Sequence, residues 1–95
     1  MMKLTGNEIQ SKLTNLTDWA VNDAGEISKT FTFSGFPQAL MFATAVGVLA
    51  EAAQHHPDIT MKWNKVTLAL TTHDAGGLSE KDFDLAKQID ALPKL

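Results

Sequence analysis

From Ile27 to Ser34 the side chains fall into two alternating sets. Ile27, Phe31 and Phe33 share one face of an extended segment, and Ser28, Thr30, Thr32 and Ser34 share the other. A period of two marks a strand with one buried face, as in an antiparallel sheet. Just upstream, Trp19 and Val21 alternate with their neighbours, and Asn22-Asp23-Ala24-Gly25 is a turn cluster. Segments 19–21 and 27–33 are therefore expected to form a hairpin. A second hairpin is expected further on. Ile59, Met61 and Trp63 alternate with Thr60 and Lys62, and Val66, Leu68 and Leu70 alternate with Thr67, Ala69 and Thr71. Its turn is expected near Asn64-Lys65, with His73 closing the second strand before a flexible Gly76-Gly77 loop.

Helical signals frame these hairpins. Thr5 with Glu8 three residues later is a capping box, and Leu4 and Ile9 are spaced as a hydrophobic staple around it. Leu13 and Leu16 continue the apolar side, and this first helix is expected to end near Asn15. Pro37 suits the first turn of a second helix reaching about His55. In it, Phe42, Val46, Leu49 and Ala53 form one stripe, and Met41, Ala45, Val48 and Ala52 a second beside it. So wide an apolar arc predicts a central helix that also has surface left for a partner subunit. Pro57 disfavours the helical region for His56 and stops the helix there. Ser79 and Asp82 form another capping box, with Leu78 and Phe83 as its staple. Leu85, Ile89 and Leu92 carry the last helix to Pro93. The expected fold is α+β: a four-stranded antiparallel sheet with helices packed on one face, in the order α-β-β-α-β-β-α, as a single domain over 1–95.

Composition narrows the function classes. At 95 residues, 44% hydrophobic and 20% charged, the chain suits one globular domain. Its net charge of −3 gives no basic face for nucleic acid. The absence of cysteine excludes disulfides, thiolate catalysis and Cys-ligated zinc, and suits a reducing cytoplasm. MMKLTGNEIQ has no apolar run behind its lysine, so no signal peptide is expected. The stretch Ala39–Ala53, broken by Thr44, Gly47 and Glu51, is expected to be too short to span a membrane.

Candidate chemistry rests on the chain's three histidines, His55, His56 and His73. Two stand at the end of the central helix and the third at the end of a strand, and such ends can meet at one rim of a two-layer fold. Imidazole is the side chain best matched to proton transfer near neutral pH. Glu51, four residues before His55, is expected on the same side of the helix, where its carboxylate favours a protonated His55. Structural readings stand beside this one. A His-His pair before proline also caps helix ends, His73 also reads as a polar strand end, and Asp82 is accounted for by its capping box. Trp19 and Trp63 also read as core aromatics. A three-histidine zinc centre is a further alternative, although adjacent His55 and His56 face one ion poorly and no HExxH pattern exists.

The runs Glu51-Ala-Ala-Gln-His55-His56-Pro57, Trp63-Asn-Lys-Val66, Leu70-Thr-Thr-His73 and Gly77-Leu78-Ser79, with Asp82, resemble the signature of the pterin-4a-carbinolamine dehydratases. Trp19 and Phe31-Thr-Phe33 also match that family, and the resemblance spans about Leu13 to Ile89. Asp74 stands where some relatives have glutamate, and Trp63 where tyrosine also occurs. The resemblance implies an antiparallel sheet with helices on one side, assembled as a homodimer or homotetramer. It implies dehydration of a 4a-hydroxytetrahydropterin to the quinonoid dihydropterin, with no metal or organic cofactor, in a pathway that regenerates pterin for aromatic amino-acid hydroxylases such as phenylalanine hydroxylase. It implies His55, His56 and His73 as active-site histidines, with Glu51 and Asp82 nearby. The segments His55–Pro57 and Thr72–Ala75, including Asp74, would hold the pterin, and Trp19 would lie at the rim. His55, supported by Glu51, is the expected acid, His73 the base or a second proton carrier, and His56 the residue that orients the ring. A non-catalytic pterin-binding module and a dimerisation partner of other proteins, acting through residues 40–53, are the competing expectations.

Overall fold

The computed structural model describes residues 2–94. Helix α1 (Gly6–Leu13) is followed by strands β1 (Ala20–Val21) and β2 (Ile27–Thr32), helix α2 (Phe36–Ala53), strands β3 (Asp58–Lys62) and β4 (Lys65–Leu70), a 3₁₀ turn at His73–Ala75, and helix α3 (Glu80–Asp90). The strands form one sheet in the order β1-β2-β4-β3, and every neighbouring pair is antiparallel. This is the expected α+β architecture.

Strand register explains which face is covered. Ile27 lies opposite Leu70, and Phe31 opposite Val66, with Lys29 and Leu68 between them. All four of those apolar side chains are buried, as is Leu68. On the other face Thr30 lies opposite Thr67, and their hydroxyls bond at 2.8 Å. The helices cover the apolar face. Ala39, Phe42, Val46 and Ala50 of α2 join Phe83, Leu85, Ala86 and Ile89 of α3 in the core. Phe42 sits between Phe31 and Phe33, with ring centroids at 4.7 and 4.9 Å. Burying a side chain of this size contributes roughly 1.5–3 kcal/mol, so the α2–sheet contact is a principal source of stability.

Helix α2 keeps a second, uncovered apolar side. Phe36, Leu40, Met41 and Val48 are exposed. Over its 18 residues the mean hydropathy is 1.4, so by length and composition it is apolar enough to cross a bilayer, contrary to the expectation for this stretch. Its inner side is nevertheless the core of the domain.

Four local features differ from expectation. Helix α1 stops at Leu13 instead of Asn15. Helix α2 stops at Ala53: Gln54 adopts the left-handed conformation (φ 52°), and the His55 N–H bonds back to the Ala50 carbonyl at 3.0 Å. This is a cap that glycine usually supplies, so no residue type announced it. The second hairpin turns at Trp63-Asn64, one residue early, and Trp63 (φ 47°) is an exposed turn residue rather than part of a strand. Asn64 holds that turn, donating from Nδ2 to the Phe33 carbonyl at 2.9 Å while its own carbonyl accepts from the Phe33 N–H at 2.8 Å. Strand β4 ends at Leu70, so His73 opens a 3₁₀ turn rather than closing the strand.

Candidate active site

The end of α2, the end of β4 and the start of α3 meet at one corner. Two interactions build that corner. Thr72 bridges to Gly77, each N–H bonding the other's carbonyl at 3.2 and 3.3 Å, which folds the 72–77 loop back on itself. The Ser79–Asp82 capping box then starts α3 directly beneath it.

Asp82 is fully buried and is the centre of the network. One carboxylate oxygen, Oδ2, accepts from the Ser79 N–H and the Thr72 hydroxyl, both at 2.9 Å. The Thr72 and Ser79 hydroxyls are 2.7 Å apart. Because Thr72 donates to Asp82, Ser79 donates to Thr72, so both hydroxyl hydrogens are used. The other oxygen, Oδ1, lies 2.5 Å from His55 Nε2. The partial positive charge at the helix N-terminus favours a carboxylate at this position. A carboxylate only accepts, so His55 Nε2 carries the hydrogen and Nδ1 is the nitrogen left to exchange a proton. His55 retains 11% side-chain exposure, enough for one edge to reach a ligand.

His56 has a different setting. Its Nε2 lies 2.7 Å from Glu51 Oε1, and the two side chains are 63% and 73% exposed. The expected pairing of Glu51 with His55 is thus replaced by Glu51 with His56. The i, i+4 rule holds only within a helix, and the left-handed Gln54 swings His55 off α2 toward Asp82.

His73 is exposed, and its ring makes no hydrogen bond among the described residues. It lines a cavity of about 230 Å³ together with His55, His56, Gln54, Thr71, Thr72, Asp74 and Lys81. The structure thus brings all three histidines to one cavity, with Thr72 and Asp74. Pro57 and Ala75 are half-buried and flank the lining residues without joining them. Asp82 lies beneath His55, too buried to touch a ligand. Trp19 does not reach this cavity. It packs edge-on against Phe31 in the core, and its indole N–H donates to the Asp90 carboxylate at 3.0 and 3.2 Å. Among the described residues no three His, Asp or Glu side chains are arranged to hold a metal ion.

Gln54, Thr71 and Lys81 line the cavity without having been singled out in the sequence. No motif marks them, and only the meeting of three chain segments brings them together.

Residues 2–92 match the family model described as pterin 4 alpha carbinolamine dehydratase. The chain belongs to the pterin-4a-carbinolamine dehydratase family. It is 56% identical over 90 residues to a protein of Roseiflexus sp. (strain RS-1) named "Putative pterin-4-alpha-carbinolamine dehydratase", covering 95% of this chain and 96% of the relative. A protein of Chloroflexus aggregans with the same name is 51% identical over 92 residues, covering 97% and 98%. Among solved structures, a transcriptional coactivator/pterin dehydratase from Brucella melitensis superposes with a TM-score of 0.89 at 31% identity, covering 94% of this chain and 96% of that one. A pterin dehydratase-like protein described as a RuBisCO assembly factor in the alpha-carboxysome shares the fold, with a TM-score of 0.68 at 23% identity over 79% of this chain and 88% of that one. The dehydratase family therefore contains relatives of this chain that match it over 95–97% of its length.

Proposed function

We propose that the three-histidine cavity dehydrates a 4a-hydroxytetrahydropterin to the quinonoid dihydropterin and water. Membership of the dehydratase family supports the reaction class. The observation that carries the reading is the convergence of His55 and His73 on one cavity, with a buried carboxylate behind only the first of them.

The reaction removes hydroxide from carbon 4a and a proton from the adjacent ring nitrogen, leaving a carbon–nitrogen double bond. Hydroxide leaves poorly, so an acid must protonate it, and a base must take the nitrogen proton. His55 is the acid. Asp82 supplies the counter-charge for its protonated ring, in the place the sequence reading gave to Glu51. His73, with no carboxylate partner among the described residues, is the base, and His56 orients the ring from the open side. A cycle leaves His55 one proton short and His73 one proton in excess, and solvent at the open cavity restores both. Well-placed acid and base groups contribute about 10²–10⁴-fold each to such a step, or roughly 3–5 kcal/mol of barrier. The physiological setting is pterin recycling for an aromatic amino-acid hydroxylase such as phenylalanine hydroxylase, in the cytoplasm.

The test is stopped-flow dehydration of freshly formed 4a-hydroxytetrahydropterin. Turnover well above the spontaneous rate, lost in His73→Ala, is expected. A wild-type rate equal to the spontaneous one refutes the reading.

A second role is favoured by one observation: the exposed side of α2, with Phe36, Leu40, Met41 and Val48. Protein association through this face accounts for apolar side chains that the core does not use. A homodimer or homotetramer is the proposed occupant, and the coactivator and assembly-factor roles named for the two structural relatives make a different protein partner the alternative. Native mass spectrometry distinguishes them, since Val48→Glu dissociates a self-assembly held by this face.

A further inference from the structure

The histidine cavity is small for a ligand site. Its volume of about 230 Å³ lies below the roughly 300–1,000 Å³ usual for small molecules. On the other side of His73 lies a larger groove of about 690 Å³. Thr71 and His73 line both spaces, so the two adjoin at His73. The groove has an apolar floor of Ile9, Val21 and Leu78, and Lys3 and Glu26 stand among its walls.

Lys3 is exposed and packs its side chain on Gly77. The Leu4 N–H bonds the Leu78 carbonyl at 2.8 Å, which ties the N-terminal segment to the 72–79 loop. The Lys3 stem then lies flat on Gly77, where a Cβ would stand 2.8 Å from its Cε and 3.3 Å from its Cδ. Glycine at 77 is what permits this approach. The ammonium forms no hydrogen bond or ion pair among the described residues. Glu26, also in the lining, accepts at Oε1 from Asn22 Nδ2 at 2.9 Å, and its second oxygen makes no hydrogen bond among the described residues. The groove thus offers one unspent donor and one unspent acceptor of opposite charge. An anionic or cationic ligand gains from one and is repelled by the other. A hydroxyl donates to Glu26 and accepts from Lys3, so uncharged hydroxyl-rich chains use both.

We propose that this groove binds the side chain of the pterin, and that it is built for an uncharged, polyhydroxylated extension of about the size of a hexose rather than for a bare three-carbon chain. The proposal rests on the dehydratase reading for the seat of the ring alone. Lys3 and Glu26 are specificity residues, and neither touches the reacting atoms.

Two measurements test it together. The first is calorimetric binding of two oxidised, unreactive pterins, one with a three-carbon side chain and one with that chain extended by a hexose. The second is kcat/KM for dehydration of the corresponding 4a-hydroxytetrahydropterins. In the wild type the hexose-bearing compound is expected to be favoured at least about tenfold in both, the worth of one or two hydrogen bonds to charged groups. Lys3→Ala and Val21→Trp, which remove the donor and fill the groove, are each expected to bring that ratio toward one. Equal Kd values for the two pterins in the wild type overturn the proposal, as does a ratio unchanged in both variants. Hexose-dependent binding without any turnover supports the groove and refutes the dehydratase reading. Turnover without a side-chain preference does the reverse.

Discussion

His55 and His56 are adjacent in the chain, and each has a carboxylate at hydrogen-bonding distance, yet the two pairs are physically unlike. His55 and Asp82 are 11% and 0% exposed, and Asp82 is held by Thr72 and Ser79 as well. His56 and Glu51 are 63% and 73% exposed, and their side chains make no other hydrogen bond among the described residues. An exposed pair is screened by water and is worth about 0–1 kcal/mol. A buried one has lost its hydration, so removing either partner strands the other, at a cost of about 3–5 kcal/mol. Nearness of a carboxylate to a histidine therefore says little until burial is known. The buried pair is fixed in geometry and tautomer, as proton transfer to a bound ring requires, and the exposed pair is not.

The largest expected effect follows from Asp82. Asp82→Ala removes the partner of His55, Thr72 and the Ser79 N–H together, and is expected to destabilise the fold by about 3 kcal/mol in urea denaturation. His55→Ala comes next. It is expected to slow dehydration about 10²–10⁴-fold and to destabilise the fold by about 3 kcal/mol or less, since Thr72 and the Ser79 N–H still hold the stranded carboxylate. His56→Ala is expected mainly to raise KM. Glu51→Gln sharpens the comparison. It is expected to change stability by less than about 1 kcal/mol and turnover by about twofold or less. A loss comparable to that of His55→Ala would show that the exposed pair carries the chemistry.

The same contrast recurs between the two capping boxes. Thr5 and Glu8 repeat the grammar of Ser79 and Asp82, on a helix with no buried residue. The Thr5 N–H and hydroxyl hold the Glu8 carboxyl below its ordinary range. A carboxyl lowered in this way stabilises the fold above its unfolded-state pKa, and the benefit disappears as pH falls through the folded-state value. Glu8→Ala is accordingly expected to cost a little stability at neutral pH and none once the pH is below that range, as followed by urea melts across a pH series. This is the smallest of the expected effects.

Much of this was legible in the residues. Alternation over Ile27–Phe33 and over Val66–Leu70 gave the buried sheet face, and both capping boxes marked their helix starts where the structure has them. Those signals are local, and local patterns suffice for elements. The site needed more. The i, i+4 spacing matches Glu51 to His55, but nothing in Gln54 announces a left-handed cap, and one such residue redirects everything after it. The capping box accounts for Asp82, and its second bond crosses 27 positions to His55, where no spacing rule applies. Alternation extends the strand to Trp63, although the two-residue turn takes it out of the sheet. Trp19 illustrates the opposite case, a buried aromatic whose indole N–H finds the half-buried Asp90 rather than a ligand.

The central claim is that His55 and Asp82 act as one proton-carrying unit, and a double-mutant cycle on dehydration rate tests it most directly. His55→Ala, Asp82→Asn and the double variant are compared with the wild type by stopped flow, with folding checked by circular dichroism. If the two act together, the double variant is no slower than His55→Ala alone, because Asp82 has nothing left to support. Losses that multiply, with the double variant slower by the product of the single effects, would contradict the account.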